Sequence, residues 1–337
     1  MTQAREIRLA SRPEGWPTAE NFEFATVELP SLNDGEVLVK NEFISVDPYM
    51  RGRMNDTKSY VAPYEIGGRI EGGAVGRVVE SRADSLPEGT LVLHYQGWAD
   101  YAQGPAQGFT ALAELPGGAP SSLYLGMLGM TAMTAYTGLT RVAKMKEGDV
   151  VFVSGAAGAV GTAVGQIARL LGASRVIGSA GSEAKVNLLT EKYGYDAAIN
   201  YKQEPIRQAL PQAAPQGVDV YFDNVGGDHL EAALDVMNRG GRLALCGAIS
   251  VYNEKGQPAA GPDNMANLIK QGLMMQGFTL GDYVQDVAGE FREKMTGWFA
   301  EGKIAYDETV YEGLDSTIDA FIDMMKGANT GKMVVKL

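Results

Sequence analysis

Three groups of residues in this chain have the types and spacing to do chemistry. The first is a set of glycines. In VVFVSGAAGAVGTAVGQIARLLG, residues 150–172, Gly155, Gly158 and Gly161 recur every third position. Before them stand four apolar, mostly β-branched residues, and after them Val160, Val164, Ile167, Leu170 and Leu171 recur at helical steps. The first block reads as a strand buried on both faces, the last as a helix with one apolar stripe. Strand, glycine turn and helix in that order open a dinucleotide-binding fold. Gly155 permits the tight turn, Gly158 lets the backbone approach a pyrophosphate at the helix's positive end, and Gly161 lets helix and strand pack closely. The spacing is G-x-x-G-x-x-G rather than G-x-G-x-x-G, and a glycine-rich turn without a ligand is the competing reading.

The second group lies in RVIGSAGSEAK, residues 175–185. An acid at the end of this second strand would bind the ribose hydroxyls of an unphosphorylated cofactor. Here Ser179, Ala180, Gly181 and Ser182 stand in its place, and Lys185 follows one turn into the next helix. A carboxylate would repel a 2′-phosphate, whereas small residues with a lysine accept it, so NADPH is favoured over NADH. Glu183 falls at the helix start, where it suits the dipole. A solvated helix charge is the other reading of Lys185. The third group is the phenol of Tyr252 in CGAISVYN, residues 246–253. It could donate to a developing oxyanion, or be a loop aromatic beside the turn-prone Asn253.

The elements that must position these groups follow from the rest of the chain. Strands are expected at residues 175–179, 197–201, 218–225, 242–247 and 274–280, with helical segments between most of them. Six alternating β/α units imply an α/β, doubly wound parallel sheet with ligands at the carboxyl ends of its strands. Residues 1 to about 125 look β-rich, and the closing GKMVVKL reads as a strand that returns to that first domain. Within the β-rich part, VLVKNEFISVDPYMRGRM turns through Asp47 and Pro48 into Tyr49, Met50 and Arg51. Tyr95, Trp98 and Tyr101 fall close together in LVLHYQGWADYA and fit either a β-core or a flat apolar pocket. Arg51 could hold a substrate carboxylate or pair with a nearby acid.

Bulk properties narrow the class. A length of 337 residues suggests two domains. A net charge of −12 argues against nucleic acid or an anionic membrane as the main partner. With one cysteine, Cys246, and two histidines, His94 and His229, no intrachain disulfide or Cys-rich zinc site is possible, and the histidines read as structural or surface residues. The N-terminal stretch lacks the apolar core of a signal peptide, and no apolar run is long enough to span a bilayer; the expectation is a cytoplasmic protein.

Taken together, these segments resemble the medium-chain dehydrogenase/reductase superfamily, and within it the zinc-free prostaglandin reductase (leukotriene 12-hydroxydehydrogenase) family. Plant alkenal double-bond reductases and bacterial curcumin reductases are its relatives. SVDPYMRGRM, GMTAMTAYTGL, AAGAVG, NYK, FDNVGG, CGAISVYN, LIKQGLMMQGF and GANTGKMVV carry the likeness, in order, from residue 45 to 335. DPYMR and GAISVYN are far more specific than the glycines.

The resemblance implies a GroES-like β-barrel domain from residues 1–125 and 306–337, and an NADP-binding Rossmann domain from 126–305. It implies NADPH-dependent reduction of the C=C bond of α,β-unsaturated ketones or aldehydes, without a metal. Gly155, Gly158, Ala159, Val160, Gly161 and Thr162 would lie against the pyrophosphate, and Ser182 and Lys185 at the 2′-phosphate end. Tyr201 and Asn224 would contact the cofactor, and Cys246, Gly247, Ala248, Ile249 and Ser250 would pass along the nicotinamide. Gly277, Phe278, Thr279 and Asn329 would complete that site. Tyr49, Arg51, Tyr95, Trp98 and Met130 are the candidate substrate residues. Tyr252 would be catalytic, stabilising an enolate together with the nicotinamide ribose hydroxyl. Homodimers joined through the Rossmann sheets are the family's habit, which would make MMQGFTL an interface strand. Residues 53–70 match no pattern of the family and leave the preferred enone open. A quinone reductase on the same scaffold and a non-enzymatic NADPH-binding protein are the competing readings.

Overall fold

A computed structural model describes residues 2–255 and 260–337. The chain forms two compact units, one from Met1–Gly126 with Glu308–Leu337, the other Met127–Asp307.

The second unit carries a six-stranded sheet in which every pairing is parallel. Its strands are β1 (Val150–Val153), β2 (Arg175–Ala180), β3 (Ala197–Asn200), β4 (Val218–Asp223), β5 (Met237–Leu245) and β6 (Met274–Gly277). Their order across the sheet is β3-β2-β1-β4-β5-β6. This is the Rossmann order, whose direction reverses beside β1 and opens a crevice at the strand ends there. VVFV in β1 is buried at every residue because helices cover both sheet faces. Phe152 and Tyr221 stack across β1 and β4 with ring centroids 5.0 Å apart. Ile177, Leu210, Val218 and Leu243 fill the same core.

Strand ends depart from the sequence expectation for a physical reason. β4 stops at Asp223 rather than residue 225, and β5 runs from Met237 to Leu245 rather than 242–247. Cys246 N–H and Gly247 N–H both turn to the Asp223 carbonyl, at 2.8 and 3.0 Å, and so leave the ladder. β6 likewise ends at Gly277, before the expected residue 280.

The first unit is β-rich. Thr2–Leu9 pairs antiparallel with Phe22–Leu29. A seven-stranded sheet holds Glu36–Ser45 at its centre, with Ala74–Ser81, Tyr101–Pro105 and the C-terminal Lys332–Lys336 paired to it. One core gathers Val37, Val39, Val78, Val92 and Phe109. His94 is fully buried and shares a 2.8 Å hydrogen bond with Asn41 Oδ1. Burial, then the charge of Arg69, lowers its pKa to about 3. Among the described residues, no helix is long and apolar enough to cross a membrane.

Candidate functional site

In the Rossmann unit the site is built on the turn after β1. Gly155 has φ +59°, the left-handed region that favours glycine. A Cβ on Gly161 would stand 2.5 Å from the Gly155 carbonyl oxygen and 2.6 Å from Ala156 Cα, so only glycine lets the helix lie this close to the turn. Gly158 caps the helix Ala159–Leu170. Its first i→i−4 bond runs from Thr162 N–H to the Gly158 carbonyl, at 2.9 Å. The N–H groups of Ala159, Val160 and Gly161 therefore precede the helical ladder and form an anion cradle with the helix dipole behind it. This tight glycine turn and its helix end suit a pyrophosphate.

The crevice beside β1 is organised by two residues that the sequence reading missed, Asp223 and Ser154. Asp223 Oδ1 accepts from Ser154 Oγ (2.9 Å), Tyr221 Oη (2.7 Å), Val225 N–H (2.9 Å) and Gly226 N–H (2.9 Å). Asn224 donates its side-chain amide to the Ser154 carbonyl at 2.8 Å and its backbone N–H to Ser154 Oγ at 2.9 Å. A buried aspartate at the end of the apolar run VDVYFD was the signal available, since such a carboxylate must be satisfied by local donors.

The segment after β5 is laid over this hub. Ile249 N–H reaches the Asn224 carbonyl at 3.3 Å, and Ser250 N–H reaches that of Val225 at 3.1 Å. Burial, then the Asp223 carboxylate, push the Cys246 thiol up to about 12, which keeps it neutral near pH 7. Tyr252 then folds back: its hydroxyl accepts from Ala248 N–H at 3.3 Å and lies 3.2 Å from where a Gly247 Cβ would be. A phenol oxygen can accept one hydrogen bond and donate another. Phe278 follows β6 and packs edge-on to Phe222, centroids 6.2 Å apart. Thr279 Oγ1 donates to Asp282 at 2.8 Å.

At the far end, Ser182 caps the helix Glu183–Glu191 and accepts from Lys185 N–H at 3.4 Å. Burial, then the charge of Lys202, lower the Lys185 pKa. Tyr201 is 38% exposed and meets the His229 ring edge-on at 5.0 Å. The structure thus brings the glycine turn, Asn224, residues 246–252 and 277–279 to the carboxyl ends of β1, β4, β5 and β6, and Ser182, Lys185 and Tyr201 to those of β2 and β3. Met130 is half-buried at the start of the helix Met130–Thr137. Asn329 belongs to the first unit, where its amide donates to the Gly331 carbonyl at 2.8 Å.

Two substrate candidates in the first unit, Trp98 and Arg51, are buried. Trp98 has 0% exposure, packs against Phe22 and Phe321, and donates its indole N–H to the Ser45 carbonyl at 3.1 Å. It is core and offers a ligand no surface. Arg51 is 3% exposed and gives its guanidinium to Asn55 Oδ1 (2.7 Å) and the Gly15 carbonyl (2.8 Å). These bonds tie the N-terminal loop to the short helix Tyr49–Arg53. Tyr49 and Tyr95 remain accessible in part, Tyr95 at 57%. Burial, followed by the Asp47 carboxylate, raises the pKa of both hydroxyls, and Tyr64 and Tyr95 add to the effect on Tyr49. Tyr64 comes from the unrecognised stretch 53–70; it donates to the Glu71 carbonyl at 2.6 Å, with the Arg53 guanidinium 4.1 Å over its ring.

Fold and crevice together define a dinucleotide-binding unit of the Rossmann class joined in one chain to a β-rich unit. Comparison with known proteins narrows that class. Residues 5–112 match the family model described as the N-terminal domain of oxidoreductase, and residues 159–301 match the one described as zinc-binding dehydrogenase. The chain is 44% identical over 338 residues to prostaglandin reductase 1 of Mus musculus, covering 100% of both chains. It is 39% identical over 333 residues to the NADPH-dependent curcumin reductase of Escherichia coli (strain K12), covering 98% of this chain and 95% of that one. The crystal structure of CurA in complex with NADPH from Vibrio vulnificus superposes with a TM-score of 0.92 at 43% identity, covering 98% of each chain. The chain belongs to the medium-chain dehydrogenase/reductase superfamily, in the group of the prostaglandin and curcumin reductases. Despite the wording of the second family model, no group of three or more His, Cys, Asp or Glu side chains among the described residues could hold a metal ion.

Proposed function

We propose that this protein is an NADPH-dependent reductase of the C=C bond in α,β-unsaturated ketones and aldehydes. Membership in the family supports the cofactor and the reaction class, and the placement of Tyr252 carries the mechanism. When bound, NADPH supplies a hydride, which the β-carbon of the enone accepts. The π electrons of that bond move toward the carbonyl, and its oxygen takes up the negative charge of an enolate. Tyr252 donates its O–H to that oxygen, an interaction that strengthens as charge develops. The Ala248 N–H, by donating to the phenol oxygen at 3.3 Å, both orients the hydroxyl and makes its proton a better donor. The α-carbon then takes a proton, from the Tyr252 hydroxyl or from water, and the saturated carbonyl compound leaves.

Around this centre the chain's own residues divide the work. The N–H groups of Ala159, Val160 and Gly161 hold the pyrophosphate, Lys185 meets the 2′-phosphate, and Asp223 keeps the ends of β1 and β4 rigid beneath the nicotinamide segment. Within the β-rich unit, Tyr49 and Tyr95 are the candidate substrate residues. The edge strand β6, half-exposed at Met274 and Met275, is the surface for pairing in a homodimer. The test is NADPH oxidation with a panel of enones, enals, quinones and saturated ketones, followed by identification of the product. Saturated ketone or aldehyde formed from the enone supports the reading. Allylic alcohol as the product, or turnover with quinones alone, refutes it.

A further inference from the structure

Beyond Lys185, the ends of β2 and β3 carry a second set of groups aimed at one spot. The two strands pair in register to Ala180 and Asn200, so residues 181 and 201–202 leave the sheet side by side. Tyr201 N–H bonds to the Ala180 carbonyl at 3.3 Å, and Lys202 N–H to Asn200 Oδ1 at 3.2 Å. A Cβ on Gly181 would stand 2.8 Å from the Tyr201 hydroxyl and 3.3 Å from Lys202 Cε. A side chain at 181 would have to displace the Tyr201 hydroxyl and press on Lys202 Cε. The His229 ring, 95% buried, fixes Tyr201 from its other edge. Burial first, and the Lys202 charge second, lower the Lys185 pKa, and a bound dianion would offset that repulsion.

We propose that Lys202 is a second selectivity residue for the adenosine 2′-phosphate, working beside the Tyr201 hydroxyl, and that the bare Gly181 excludes the carboxylate an NADH site would place there. The proposal rests on the NADPH reading and deepens it. It explains why small residues occur after β2: the volume belongs to residues of β3's end, not only to the ligand. Lys202 is exposed, so its contribution is screened and smaller than that of a buried ion pair.

The experiment is calorimetric titration of the full-length protein, without turnover, using 2′,5′-ADP and 5′-AMP. Wild type prefers 2′,5′-ADP. Lys202→Gln loses about three- to tenfold of its 2′,5′-ADP affinity with 5′-AMP unchanged, and Lys202→Arg retains most of it. Gly181→Ala, which adds no charge, also weakens 2′,5′-ADP by displacing the Tyr201 hydroxyl. Wild-type binding of both nucleotides by Lys202→Gln overturns the role of Lys202, and an unaffected Gly181→Ala overturns the steric exclusion. A wild type that binds the two nucleotides equally overturns the NADPH reading itself, and this proposal with it.

Discussion

Replacing Tyr252 with Phe removes one oxygen and leaves the ring, which makes it the sharpest probe of the proposed chemistry. Two of the interactions lost bear on the argument. One is the hydrogen bond accepted from Ala248 N–H at 3.3 Å, long and half-exposed, which contributes about 0.5–1 kcal/mol to stability. The variant therefore folds. The other is the donor at the enolate oxygen. Single oxyanion donors contribute roughly 2.7–4 kcal/mol to a transition state, and the ribose hydroxyl remains as a second donor, so the loss falls at or below the low end of that range. At about 1.4 kcal/mol per decade, turnover drops about ten- to a hundredfold. Because the interaction strengthens only as charge develops, turnover falls more than substrate binding does. The assay is steady-state NADPH oxidation on one simple enone, with NADPH affinity followed separately by fluorescence. Near-wild-type turnover would refute the argument and leave the ribose hydroxyl or water as the donor. A parallel collapse of NADPH binding would make Tyr252 a packing residue of the cofactor site.

Asp223→Ala orphans four donors at the ends of β1 and β4, and at about 1–3 kcal/mol for each buried group left unsatisfied it costs at least about 4 kcal/mol in a urea titration; a loss below about 1 kcal/mol would show that water replaces the carboxylate freely. His94 has its folded-state pKa depressed to about 3, so it contributes stability above its unfolded value of about 6.5 that is lost as pH falls between those limits, at up to ~1.4 kcal/mol per pH unit. His94→Gln should flatten the pH dependence of stability in that window, and an unchanged slope would assign the acid sensitivity to other groups. Prolonged chelation should leave the reductase rate unchanged; activity lost to a chelator and restored by zinc would contradict a metal-free mechanism.

The nucleotide-binding architecture was legible because its determinants are local. Four apolar, mostly β-branched residues, a glycine turn and a helical stripe fall within one 23-residue stretch, 150–172, and each specifies its own backbone conformation without distant partners. Gly155 at φ +59° and Gly161 with no room for a Cβ are positions where the residue type itself states the geometry. Strand ends were less legible. β5 begins at Met237 and stops at Leu245 because neighbouring strands, not its own sequence, supply or withdraw its hydrogen-bond partners.

What the sequence alone determined was the order of elements, the glycine-built turn, the replacement of an acid by small residues after β2, and the position of one phenol in GAISVYN. Only the tertiary structure decided which polar and aromatic side chains have surface left to use. Trp98 and Arg51 have the composition of ligand-binding residues, yet Phe22, Phe321 and the Ser45 carbonyl consume the first, and Asn55 and Gly15 consume the second. Tyr64 lies in a stretch that matches no family pattern, and Asp223 and Lys202, inside FDNVGG and NYK, carried no assigned role, yet all three stand among groups from distant parts of the chain. Hydrogen-bond saturation and burial depend on partners tens to hundreds of residues away, and no local pattern encodes them.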